Sequence, residues 1–251
     1  MDHLLLLVGA GFLAGSMNAL AGGGSFVTLP ALIAAGVPSV SANASSSVAL
    51  YPAGAVSAWV YRDGLGDVCG LPVRPMLLTT LVGGFLGALL LLWTPSSVFD
   101  RILPWLLLMA TAALISGPRL GPWLRARLRT GTRTVFAVQF ALGLYGGYFG
   151  GAVGLMMMAA WSLLDSANVK ALNAPRTLMT TAANTIAILC FVVAGAIHWP
   201  QALLVGAGAL VGGYGGAHLG RRLPAPVVRA ATLLIAVAIT VAFFVRAYGH
   251  S

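Results

Sequence analysis

The chain has 251 residues, of which 59% are hydrophobic and only 8% are charged, against roughly a quarter charged in a soluble domain. So few charges cannot cover a water-facing surface, and a disordered chain would be polar, so both classes are excluded and the bilayer is the remaining solvent. The net charge is +9, but the basic residues sit at the ends of apolar runs and in one loop, the pattern of membrane topology and not of a nucleic-acid surface.

No Asp, Glu, Lys or Arg occurs between Asp2 and Arg62, and further uncharged runs separate Arg74 from Asp100, Arg101 from Arg119, Arg133 from Asp165, Arg176 from Arg221 and Arg229 from Arg246. The runs are continuous in Leu, Ala, Val and Gly, which excludes the alternating strands of a membrane β-barrel. They divide into ten helical segments: Leu4–Ala21, Phe26–Ala35, Asn43–Tyr61, Pro75–Trp93, Ile102–Ser116, Thr134–Gly150, Val153–Leu164, Leu172–Ala194, Pro200–Leu219 and Val227–Val245. The expected fold is an all-α integral membrane protein. The second and seventh segments are too short to cross a core about 30 Å thick, and each follows a glycine cluster, so each reads as half of a broken or re-entrant helix. The N-terminus, Met1-Asp2-His3, lacks the positive region of a signal peptide, and the first segment is expected to remain in the mature protein.

The chain also repeats itself. Asn43-Ala44 recurs at Asn173-Ala174, Gly83-Gly84-Phe85-Leu86-Gly87-Ala88 at Gly212-Gly213-Tyr214-Gly215-Gly216-Ala217, Pro95 at Pro224, and Gly11 with Gly15 at Gly143 with Gly147. The order is kept and the offset is nearly constant, which predicts two membrane repeats, residues 1–117 and 134–251, joined by a basic cytoplasmic linker at 118–133. Arg119, Arg125, Arg127, Arg129 and Arg133 hold that linker inside, and Arg62, Arg74, Lys170, Arg221 and Arg222 then also fall inside. Equivalent loops of the two halves carry opposite charge bias, as inverted repeats of five segments require.

Two regions can carry chemistry. Asn18-Ala19-Leu20-Ala21-Gly22-Gly23-Gly24-Ser25 interrupts one apolar run, and Gly150-Gly151-Ala152-Val153-Gly154 interrupts another at the corresponding place. Irregular backbone at membrane depth is tolerated where it is buried in protein or lines a cavity, and the freed N–H groups of the next helix attract anions. Paired breaks in two halves are the best pointer to a transporter site that sequence offers; close packing of glycine is the competing reading. The second pair of motifs is Asn43-Ala44-Ser45-Ser46-Ser47 and Asn173-Ala174-Pro175-Arg176-Thr177. Helix capping accounts for the asparagines. Ser45, Ser46 and Ser47 exceed what one cap needs, and hydroxyls, with those of Ser46, Ser47 and Thr177 as the candidate donors, can donate to an oxyanion without presenting a negative charge. Arg176 offers a planar fork for a sulfonate, phosphate or carboxylate, or else snorkels to the interface.

The remaining features read as packing. Gly208, Gly212, Gly216 and Gly220, like Gly83 and Gly87, give smooth helix faces. Trp59, Trp93, Trp105, Trp123 and Trp199 read as interfacial anchors, and Met156-Met157-Met158 as soft packing or a pliable gate. His218 inside a span reads as a buried, satisfied histidine or a proton-linked one. No cluster has metal-ligand spacing, no cofactor is implied, and Cys69 and Cys190 form no disulfide framework.

These motifs, from Gly11 through Ala-Gly-Gly-Gly-Ser to Phe26, with Pro30, Ala42–Ser47, Gly150, Gly151, Asn173–Thr177 and Gly212–Ala217, resemble the sulfite exporter TauE/SafE family, the toluene sulfonate uptake permease group. The resemblance implies a secondary transporter in a bacterial inner membrane that moves small sulfur-containing anions such as sulfite, thiosulfate or organosulfonates (sulfoacetate among them). Its partners would be that anion and the lipid bilayer; a homo-oligomer is left open. The second copy departs from the first, with Gly-Gly-Ala-Val-Gly for the glycine triplet and Pro175-Arg176 where serines stand. A polytopic membrane enzyme, which would need a buried acid or nucleophile constellation, and a non-transporting membrane scaffold are the alternatives.

Charge bias makes a direct prediction. In a cysteine-free background, Ser39→Cys and His198→Cys are labelled by an impermeant thiol reagent from outside, and Thr130→Cys only once the cytoplasmic face is opened. Labelling of positions 39 and 198 from opposite faces overturns the inverted arrangement.

Overall fold

The computed structural model describes residues 2–20, 23–125, 131–164, 172–220 and 225–249. These form ten helices: α1 (Asp2–Leu20), α2 (Ser25–Ala34), α3 (Ser39–Val60), α4 (Val73–Trp93), α5 (Ser96–Arg125), α6 (Thr132–Tyr148), α7 (Val153–Leu164), α8 (Asn173–Val193), α9 (Trp199–Gly220) and α10 (Ala225–Tyr248). A 3₁₀ turn, Arg62–Gly64, follows α3. Among the described residues the only β pairing is an isolated bridge between Val68 and Leu71.

The ten segments and the two short ones, α2 and α7, are where the apolar runs and glycine clusters put them. Three boundaries differ most. Pro38 opens α3 four residues before Asn43 would be reached, because its carbonyl accepts the Ala42 N–H at 2.7 Å and the first turn closes there. Pro95 starts α5 early in the same way, accepting from Val98 and Phe99 at 2.9 Å. The far end of α5 runs on to Arg125, into the segment read as a linker. Arg127, Arg129, Lys170, Arg221 and Arg222 lie outside the described residues.

The surface is what lipid requires. Leu5, Leu78, Leu90 and Leu234 point outward, while Phe26, Phe99, Phe149, Phe191 and Trp161 fill the interior. Trp59 and Trp93, at the ends of α3 and α4, are 69% and 78% exposed, as interfacial anchors are. By length and hydropathy, Val73–Trp93, Asn173–Val193 and Ala230–Tyr248 can each cross a bilayer. At about 15 Å and 18 Å, α2 and α7 cannot.

Packing is densest between α1 and α9 and between α4 and α6. Glycine makes both contacts. A Cβ at Gly212 would stand 1.9 Å from the Phe12 carbonyl oxygen, at Gly15 2.0 Å from that of Ala209, and at Gly208 2.2 Å from that of Val8. In the second pair, Gly147 faces the Gly84 carbonyl at 1.9 Å and Gly87 that of Leu144 at 2.1 Å. The smooth faces are therefore packing faces, and the backbones touch. Exchanging α1–α5 for α6–α10 maps the α1–α9 contact onto α6–α4, α3–α9 onto α8–α4 and α5–α7 onto α10–α2. α3 and α8 pack on each other, and the buried hydroxyls of Thr111 on α5 and Thr240 on α10, 129 residues apart, share a hydrogen bond of 3.1 Å. The His198 N–H donates to Ser45 Oγ at 2.9 Å, which sets the turn before α9 beside the first turns of α3.

Because backbone stands in the way, Gly212→Leu separates α1 from α9. It is expected to destabilise the fold by about 3 kcal/mol or more, read as loss of monodisperse protein and a lowered thermal midpoint in detergent. Gly215→Leu, where a Cβ meets nothing within 4 Å, is expected to fold normally.

Candidate functional site

The two breaks differ in construction. At the first, α1 stops at Leu20 and α2 begins at Ser25; Gly22 lies outside the described residues. Gly23 has φ +90°, open to glycine at no steric cost, and a Cβ at Gly24 would stand 2.7 Å from the Ala14 carbonyl oxygen. At the second, Tyr148 ends α6, Gly150 turns left-handed with φ +71°, and Ala152 does so with φ +57°. A left-handed alanine costs about 1–2 kcal/mol and persists only where its surroundings impose it. Ala152 is buried, and its carbonyl accepts both the Leu155 and Met156 N–H at 3.0 and 3.1 Å. The earlier N–H groups, of Val153 and Gly154, are the unpaired donors of a helix start.

One face of α3 touches both breaks. Asn43 is 2% exposed, and its Nδ2 donates to the Tyr148 carbonyl at 3.0 Å. Ser47 Oγ donates to the Asn43 carbonyl at 3.1 Å and lies 3.4 Å from where a Gly150 Cβ would stand. The buried Ser46 hydroxyl shares a hydrogen bond with Thr28 of α2. One turn further, Leu50 stands 3.3 Å from the Cβ position of Gly24. Residues 43–50 thus bridge the start of α2 and the break before α7.

The capping explanation of the asparagines does not hold. Asn43 lies inside α3 and bonds the end of α6, and Asn173 follows Leu172, the residue at the cap position of α8, with no side-chain cap bond there. The reason is Pro38, which moves the start of α3 upstream. Thr177 Oγ1 donates to the Asn173 carbonyl at 2.8 Å, so this pair is bonded within α8. Arg176 is half-buried, and its Cδ and Cγ lie 3.8 and 4.0 Å from the Cβ position of Gly154. Gly151 is fixed by its neighbour, since a Cβ there would meet the Phe149 ring at 2.4 Å. Asn18 and Ser25 are half-buried beside the first break.

Sequence reasoning missed three groups. Thr180 and Asn184 follow Arg176 at four-residue spacing, a visible signal, and lie 3.3 Å from the Cβ positions of Gly154 and Gly150 through Oγ1 and Oδ1. Gln139 is fully buried: Trp161 Nε1 donates to its Oε1 at 2.9 Å, and its Nε2 reaches Thr80 Oγ1 at 2.6 Å and Met179 Sδ at 3.2 Å. A lone Gln in an apolar run was the clue. This group ties α7 to α4, α6 and α8. His218, read as buried, is exposed on α9 against the Tyr214 ring at 4.5 Å, with Nδ1 3.0 Å from the Tyr214 carbonyl. The register that turns Gly212 and Gly216 toward α1 turns His218 away. The methionine run packs: Met157 is fully buried, with its Sδ 3.7 Å from Thr180 Oγ1.

Residues 7–243 match the family described as Sulfite exporter TauE/SafE. The chain belongs to that family. Among its relatives, the Probable membrane transporter protein ORF9 of Sinorhizobium sp is 28% identical over 241 residues, 95% of this chain and 92% of that one. The Probable membrane transporter protein YfcA of Escherichia coli strain K12 is 28% identical over 211 residues, 84% and 77% of the two chains. A Probable membrane transporter protein of Haemophilus influenzae is 28% identical over 223 residues, 89% and 86%. No solved structure matches. This TauE/SafE chain is therefore a multi-pass membrane protein of a transporter family.

The Gln139 cluster is testable as a structural unit. Gln139→Leu leaves the buried Trp161 Nε1 without its acceptor. The expected loss is about 1–3 kcal/mol, measured as a lower thermal midpoint in detergent. Trp161→Phe combined with Gln139→Leu is expected to lose less than the sum of the single changes, because the unpaired donor is then gone too.

Proposed function

We propose that this protein is a secondary transporter that carries small sulfur-containing anions, sulfite, thiosulfate or organosulfonates such as sulfoacetate, across a bacterial inner membrane by alternating access. The observation that carries the reading is the meeting of the two helix breaks on α3, beside the single Arg of α8. Asn43 and Ser47 reach the second break, Ser46 and Leu50 reach α2, and Arg176 lies along Gly154. An anion leaving water needs donors that do not themselves carry negative charge. The N–H groups of Val153 and Gly154 at the positive end of α7, neutral hydroxyls and one guanidinium are such a set. Of the residues named from sequence, Gly22, Gly23, Gly24, Ser25 and Asn18 would line the first side, and Gly150, Gly151, Gly154, Asn173, Arg176 and Thr177 the second.

Alternating access needs two alternative packings of similar energy. The contact exchange between halves and the Thr111–Thr240 pair support a pseudo-twofold arrangement in which α3 and α8 lie centrally. The close backbone pairs α1–α9 and α4–α6 would then move as rigid units around them. The anion passes unchanged, so no bond-making residue is invoked and the protein is read as a carrier rather than an enzyme.

Flux of sulfite, thiosulfate and a small sulfonate into proteoliposomes tests the proposal; no flux of any of the three, with folded protein, overturns it. The Arg176 role adds a graded expectation. Arg176→Lys keeps the charge but loses the fork, and Arg176→Gln loses both, so apparent affinity falls from Arg to Lys to Gln, by about 1.5–3 kcal/mol for a charged hydrogen bond removed. Equal affinities for all three variants remove Arg176 from the site.

A further inference from the structure

On α8, Arg176, Thr180 and Asn184 recur every fourth residue and so share one face. Their partners follow the same order along the second break: Arg176 and Thr180 lie against Gly154, and Asn184 lies against Gly150. The adjacent face does something else. Thr181 Oγ1 donates to the Gly54 carbonyl at 3.1 Å, and Thr185 Oγ1 shares a hydrogen bond of 2.9 Å with the Tyr51 hydroxyl, so Thr181 and Thr185 hold α8 to α3. One helix therefore carries a structural seam and, beside it, a polar ladder aimed at the break.

Asn184 stands at the middle of α8, which spans Asn173–Val193 and is apolar and long enough to cross the bilayer. A carboxamide at that depth is costly without partners. Its half-buried side chain makes no hydrogen bond to another described residue. Every fully buried polar side-chain atom among the described residues does have a partner. The Asn184 amide is thus left without a protein partner among the described residues, with its Oδ1 3.3 Å from where a Gly150 Cβ would stand. Ser47 Oγ stands 3.4 Å from the same Gly150 Cβ position.

We propose that Asn184 is a substrate-contacting residue: its carboxamide turns so that Nδ2, in place of the Oδ1 that faces Gly150, donates to an oxygen of the transported anion beside Gly150 and Ser47. The assignment rests on the anion-transport reading above and deepens it. It also makes the site one-sided. At the repeat spacing that relates Asn43 to Asn173, Arg176 corresponds to Ser46, Thr180 to Leu50 and Asn184 to Gly54. The structure respects this register, since Gly24 meets Leu50 as Gly154 meets Thr180. The first repeat therefore has no ladder, and the anion is held on the side of the second.

The test is a binding titration on the purified full chain with methanesulfonate, which stays a monoanion across the pH range used, at fixed salt. Asn184→Leu is expected to weaken binding about tenfold or more. Asn184→Asp sets a carboxylate against the anion and is expected to weaken it further at neutral pH. Lowering the pH protonates that carboxyl, removes the charge and supplies an O–H donor, so binding by Asn184→Asp recovers as pH falls while binding by Asn184→Leu does not. A role in packing alone would give no such recovery. Thr181→Val is the contrast, expected to lower the thermal midpoint and leave affinity within about twofold. Unchanged affinity in both Asn184 variants, with the unaltered protein binding, overturns the Asn184 assignment alone. Failure of the unaltered protein to bind methanesulfonate, sulfite and thiosulfate overturns the transport reading and this assignment with it.

Discussion

Two pairs of helices, α1 with α9 and α4 with α6, approach so closely that a single added carbon has no room. In a bilayer there is little hydrophobic drive between helices, since lipid tails are as apolar as leucine, and dispersion between touching backbones becomes a main source of cohesion. That contact needs an unbroken row of small residues on each partner. The rows are Gly11 and Gly15 against Gly208, Gly212 and Gly216, and Gly83 and Gly87 against Gly143 and Gly147. Each pair joins the first segment of one half to the fourth of the other, so neither half can assemble its own pair. The remaining helices are arranged around these two stiff units.

The breaks are possible because that framework surrounds them. An interrupted helix frees N–H and C=O groups that lipid cannot solvate, and each must find protein or a polar occupant. The Tyr148 carbonyl finds Asn43 Nδ2, and the Ala152 carbonyl takes two N–H groups at once. Gln139 and Trp161 hold α7 against its neighbours, so that a helix of 12 residues stays in register without crossing the membrane. What is left over at the second break is a small set of donors: the first N–H groups of α7, the guanidinium of Arg176 and the side chain of Asn184.

The chemistry of the solvent made much of this legible in the sequence. Lipid forces continuous apolar runs, so helix number and the two short segments follow from where charges and glycines fall. The glycine faces follow from four-residue spacing, and the structure gives them the packing role that spacing implies. The starts of α3 and α5 were misplaced because Pro38 and Pro95 begin helices upstream of the residues that look like caps. Asn43 was read as local because its partner, Tyr148, is 105 residues away. Nothing in a single chain reports that pairing. Gln139 was passed over for the same reason: its role exists only once α4, α7 and α8 converge on it. His218 shows the limit of placing a residue in a span without knowing its face.

The asymmetry between the halves bears on how such a protein can work. Duplicated repeats give two packings of equal energy only if the repeats are equal. Here the second break carries a strained Ala152, a hydrogen-bonded clamp at Gln139 and Trp161, and a charged ladder. The corresponding places in the first half hold Leu7, a buried apolar side chain, in place of Gln139, and Ser46, Leu50 and Gly54 in place of the ladder. Polar clamps resist movement more than apolar contacts do, because breaking them strands donors and acceptors in a medium without water. Beside the first break stand Asn18, Ser25 and the Ser46–Thr28 hydrogen bond, all uncharged. The two breaks are therefore alike in framework and unlike in polarity: the second stands beside a guanidinium and a fully buried carboxamide, and the first does not.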